Sequence, residues 1–151
     1  MKRTFSIFVF SITILLSACT SDKDHLTLNE DDLLNFAIKL EEKGNYKNAF
    51  KYYLLAAKKG NSTALNNIGF FYEFGQGVDK DYSKALKYYN KSIRIDNNST
   101  ALHNLSRLYL LGLGVKKDRK KALFFLNKSA ELGNKHALND VYWLTHPKSG
   151  S

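Results

Sequence analysis

One cysteine in 151 residues, Cys19, leaves no partner for a disulfide within the chain. No two histidines stand four apart, so the helical pair that commonly ligates a metal is missing. No strand pattern precedes a glycine-rich segment, which removes the phosphate-cradling loop; the Gly75-Gln76-Gly77 and Gly112-Leu113-Gly114 segments recur at a fixed spacing and read as turns. Carboxylates are scarce, 14 against 23 lysines and arginines, for a net charge of +9. No catalytic constellation, metal site or cofactor site emerges, so no enzyme is expected. The basic surplus favours anionic partners such as lipid head groups, cell-wall polymers or an acidic protein. The lysines are spread along the chain, and its richness in Asn, Ile, Tyr and Phe gives the charge a purely compositional reading as well.

No apolar run approaches the 20 or so residues of a membrane-spanning helix. The nearest is Phe5 to Leu16, FSIFVFSITILL, which follows Lys2 and Arg3 and precedes Ser17, Ala18 and Cys19. A short basic region, an apolar core and small residues before a cut site mark a secretory signal rather than part of the fold. The segment LSAC, residues 16–19, resembles the lipobox of bacterial lipoproteins. That resemblance implies removal of residues 1–18, lipid on Cys19, and anchoring to a membrane. Thr20, in place of aspartate, implies the outer membrane, facing the periplasm. Export makes nucleic acid an unexpected partner. Residues 19–29 are polar and aperiodic and read as a tether, with His25 solvated.

The remainder is a repeat. ALNNIGFFYEFGQGVDKDYSKA at 64–85 returns as ALHNLSRLYLLGLGVKKDRKKA at 101–122, an offset of 37 residues. A partial copy lies upstream, where NYKNAFKYYLLAA at 45–57 matches residues 81–93, and Ala137-Leu138-Asn139 begins another downstream. Each unit reads as two antiparallel helices. Ala64, Leu65, Ile68 and Tyr72 share one face at helical spacing, with Gly69 allowing close approach. Gly75, Gly77, Gly112 and Gly114 make the turns. Asp81 and Asp118 stand where caps belong. Asn97 or Asn98 takes a left-handed position where glycine is lacking. Helices are predicted near 30–43, 46–59, 62–74, 81–95, 99–111, 118–132 and 135–144. They make an all-α, short right-handed solenoid whose neighbouring helix pairs complete one another's core. Its parts are a partial unit at 30–60, full units at 61–97 and 98–133, and a capping helix at 134–145. Residues 146–151, with Pro147, form a flexible tail.

These motifs resemble the Sel-one-like repeat, a relative of the tetratricopeptide repeat. Ala64, Ile68-Gly69, Tyr72, Gly75-Gln76-Gly77-Val78, Asp81 and Lys84-Ala85 carry the resemblance, and the second unit departs from it only at Ser106. The upstream turn, Lys43-Gly44-Asn45, is shorter. The resemblance implies binding of a protein or peptide in a concave groove lined by first helices. By position in the repeat, that groove would present Asn66, His103 and Asn139 in one row. Phe70, Arg107 and Trp143 form another, with Glu73 and Leu110 one turn along. Arginine and aromatic residues are frequent interface anchors, although Trp143 has the equal alternative of capping the core.

Three functions compete at this stage. The first is a lipid-anchored periplasmic interaction module; its narrower form is an immunity protein that neutralises a delivered toxin such as a lipase. The second is enzymatic: a cysteine-rich branch of the family is linked to penicillin binding and hydrolysis, but this chain lacks those cysteines. The third is electrostatic attachment to anionic envelope polymers.

Overall fold

The computed structural model describes residues 28–146. The signal segment, Cys19, His25 and the segment from Pro147 onward lie outside the described residues. Among those described there is no strand, and seven helices follow one another: α1 Glu30–Glu42, α2 Tyr46–Lys58, α3 Ser62–Phe74, α4 Tyr82–Asp96, α5 Ser99–Leu111, α6 Arg119–Glu131 and α7 Lys135–Thr145. Each packs against the next, so α1/α2, α3/α4 and α5/α6 form hairpins and α7 leans on α6. The architecture is the expected all-α solenoid.

Helix ends follow local chemistry. Side chains of Asn29, Asn61, Asp81, Asn98, Asp118 and Asn134 accept hydrogen bonds from backbone amides of the first turn. Such caps typically contribute about 1 kcal/mol each. Asp81 and Asp118 therefore stand just outside α4 and α6, and each helix begins one residue later than the apolar pattern suggests. Asn97, at φ 56, takes the left-handed position that ends α4 and Asn98 caps α5, which settles the choice between them. Leu28 and Asn29, at the end of the expected tether, join the fold: Leu28 packs on the first core cluster and Asn29 caps α1. His146 closes α7 with its ring stacked on Tyr142.

The core is the apolar stripe of each helix, with Leu33, Tyr53, Ile68, Phe71, Tyr89, Leu102, Leu105 and Leu108 fully buried. Burying one such side chain stabilises the fold by roughly 1.5–3 kcal/mol. Gly69 has no side chain because the Tyr89 ring lies against it; an added Cβ would stand 2.6 Å from that ring. Ser92 and Ser129, one per unit, donate from inside the second helix to the carbonyls of Ser62 and Ser99, at 2.7 and 2.6 Å.

The second glycine of each Gly-x-Gly turn does more than turn the chain. Gly77, at φ +66, rests on the start of α2, where a Cβ would meet Lys47 N and Tyr46 C at 2.8 Å. Gly114, at φ +68, rests in the same way on Tyr82 and Ser83 at the start of α4. Each turn thus locks its unit to the preceding one.

Candidate partner-binding cleft

The rows expected from the repeat do not all reach the surface. Asn66 is 6% exposed. Its Oδ1 accepts from Asn104 Nδ2 at 3.0 Å and its Nδ2 donates to Asn67 Oδ1 at 3.2 Å, so it forms part of the scaffold beneath the groove. Phe70 is half-buried, packed on the first core cluster and tilted on Phe74 with ring centres 4.5 Å apart. Neither lines the cleft between α5 and α7.

His103, Arg107 and Trp143 do come together. They rim a cleft of about 470 Å³ between α5 and α7, with Asp140 beside them. Leu110, Leu126 and Leu144 give its apolar lining. Asn139 stands behind Trp143, accepting from its Nε1 at 3.1 Å. His103 Nε2 is 2.8 Å from Asp140 Oδ2, which fixes the imidazole at the rim. Trp143 is 46% exposed, with its ring edge-on to Tyr142 at 5.2 Å.

Arg107 is held from below. Glu73 is 3% exposed. Its Oε1 accepts from Arg107 Nη2 at 2.7 Å and from Nε at 3.1 Å, and its Oε2 accepts from the Tyr89 hydroxyl at 2.7 Å. Burial, then the nearby Glu73 charge, holds the Tyr89 hydroxyl well above the usual tyrosine range. The guanidinium also lies 5.5 Å from the centre of the Phe74 ring. On its far side a second, smaller depression of about 310 Å³ is lined by Phe74, Tyr82, Leu111 and Leu113. Arg107 is therefore a ridge between two apolar hollows, pinned by a buried carboxylate rather than swinging in solvent.

Reasoning from sequence missed that ion pair, and the signal lay in the repeat itself. Tyr53 donates to Glu41 in the first unit as Tyr89 does to Glu73 in the second. In the third unit the same two positions are Leu126 and Leu110. Replacing a tyrosine–glutamate pair by two leucines makes that end of the groove apolar. Among the described residues no cluster of His, Cys, Asp and Glu could hold a metal, and no helix is long and apolar enough to cross a membrane.

The chain matches the model of the Sel1 repeat at residues 40–61, 62–97 and 99–134. It is similar to a Sel1 repeat protein from Oxalobacter formigenes, 30% identical with a TM-score of 0.67, covering 78% of this chain and 48% of that one. Helicobacter pylori cysteine rich protein B is 25% identical with a TM-score of 0.58, covering 75% of this chain and 97% of that one. Among curated relatives, the ERAD-associated E3 ubiquitin-protein ligase component HRD3 of Candida glabrata is 45% identical over 47 residues, 31% of this chain. The chain spans only 6% of that protein's length.

Proposed function

The chain belongs to the Sel1 repeat family, a protein-interaction fold, and we propose that it is a lipid-anchored envelope protein that holds a protein or peptide partner in the cleft between α5 and α7. The observation that carries this reading is the pinned Arg107 ridge with apolar hollows on both sides. Rigid arginine and aromatic anchors lose little conformational freedom on binding, which is why they recur at interface centres. Leu110, Leu126 and Leu144 offer apolar seats, and His103 with Asp140 supplies a polar edge. This is binding without a chemical step. The LSAC segment supports the second half of the proposal, with lipid on Cys19 and the domain held at the outer membrane, facing the periplasm.

Both halves are open to test. A photo-crosslinking residue in place of Leu144, in the native host, is expected to give one defined adduct. That adduct should be lost with Trp143→Ala while helical circular dichroism and melting stay unchanged. An adduct indifferent to Trp143 would remove the cleft from the proposal. An adduct formed only after exposure to a neighbour's toxin narrows the reading to an immunity protein. Labelled palmitate should enter the wild type and not Cys19→Ser; label on both would overturn the anchor.

A further inference from the structure

Lysines spread along the sequence are gathered by the fold. Helices α2, α4 and α6 carry eleven lysines and arginines against two carboxylates, Asp96 and Glu131. Helices α1, α3, α5 and α7 carry three against seven. Each second helix carries a net charge of +3, whereas the first helices α1, α3 and α5 carry −4, −1 and +1. A compositional bias would load both kinds of helix alike, so it does not account for this division.

The repeat sets the charges in rows across the second helices. Lys84 aligns with Lys121, Lys91 with Lys128, and Lys87 with Phe124. Lys84 and Lys121 lie over the rings of the equivalent tyrosines, Tyr72 and Tyr109, at 5.1 and 5.4 Å, so both ammonium groups keep the same place in their units. Lys84, with Asp81, makes the one ion pair found for these helices among the described residues. Phe124 is 62% exposed, the most exposed of the large apolar side chains described, and it stands in the lysine array.

From this we propose that the face formed by α2, α4 and α6 docks on an anionic lipid bilayer, with Phe124 entering the head-group layer. Charges spread in two directions suit a plane of head groups better than a single polyanionic strand. A lysine-rich helical face with an exposed aromatic is the composition that settles at a bilayer interface. The inference does not depend on what occupies the cleft.

The test is binding of the full chain to phosphatidylcholine vesicles with and without phosphatidylglycerol, at low and high salt. The comparison variant is Lys87→Glu, Lys91→Glu, Lys120→Glu, Lys121→Glu. The apolar segment 5–16 is common to both proteins and cancels between them. Wild type is expected to prefer anionic vesicles at low salt and to lose that preference as salt screens it. The variant should lose roughly fivefold per lysine. Phe124→Ser should weaken binding further without altering its salt dependence, and Trp143→Ala should bind as wild type does. Equal binding to both vesicle types, or a variant that keeps the preference, would overturn the proposal. So would a DNA duplex that displaces the protein from the vesicles.

Discussion

Arg107 and Glu73 sit 34 residues apart in sequence and share one oxygen: Nε and Nη2 of the arginine both donate to Glu73 Oε1. The carboxylate is buried and the guanidinium is partly open to the cleft. The pair therefore joins the second and third units and presents a fixed cation at the surface.

Removing the cation should be worse than removing the pair. Arg107→Met leaves Glu73 charged and buried, and is expected to destabilise the fold by roughly 3 kcal/mol. Adding Glu73→Leu and Tyr89→Phe, which removes the carboxylate and the hydroxyl that donates to it while keeping the ring against Gly69, should recover most of that loss. Urea unfolding of the single and triple variants checks it. If the single variant is as stable as wild type, the pair does not hold the units together.

The turn glycines should divide into two groups. Gly77→Ala and Gly114→Ala force a Cβ into backbone and also require a left-handed alanine. Each is expected to cost about 3 kcal/mol or more. Gly60→Ala and Gly133→Ala meet open space and bear only the left-handed strain, about 1–2 kcal/mol. Thermal melts of the four variants should fall into these two classes.

At Asn97 the left-handed backbone is taken without glycine. Asn97→Gly should be neutral or stabilising by a few tenths of a kcal/mol, and Asn97→Val should cost about 1–2 kcal/mol. Chemical denaturation distinguishes the two. An equal response to both substitutions would mean that α4 ends otherwise.

Alkaline pH should loosen first the two units that hold a tyrosine–glutamate pair. Burial is the first cause raising both Tyr53 and Tyr89, and Glu41 and Glu73 raise them further. A tyrosine whose folded pKa lies above its unfolded value, about 10, contributes stability that is fully present below that pH. The contribution is lost as pH rises towards the folded pKa. Melting temperature should thus fall steeply above about pH 10, and Tyr53→Phe or Tyr89→Phe should flatten the fall. An unchanged slope in the double variant would show that neither hydroxyl is linked to unfolding.

The helices, caps and turns were legible because each is written in a few adjacent residues and then repeated. Asp81 caps α4 by its own position, and Gly75 turns the chain with little help from elsewhere. The cleft was legible only where an exposed position depends on its own helix, as at Trp143, which donates to Asn139. Asn66 is drawn inward by Asn104, and Glu73 is tolerated in the interior because of Arg107 and Tyr89. Such partners lie a full unit or half a unit away, and no spacing rule within one helix points to them. The cationic face was hidden for a similar reason: lysines scattered along the chain become neighbours only once second helices stack.

The contacts of Gly77 with Tyr46 and Lys47, and of Gly114 with Tyr82 and Ser83, bear on how such a chain can grow. Each turn is a key cut for the helix start one unit earlier. A duplication that carries residues 62–97 as a block brings both a new key and a new lock, and its one new junction sets the Gly77 turn against Tyr82 and Ser83, a helix start that already receives the same kind of turn from Gly114. The repeat length is in this sense a unit of inheritance, set where one glycine meets the backbone of its neighbour.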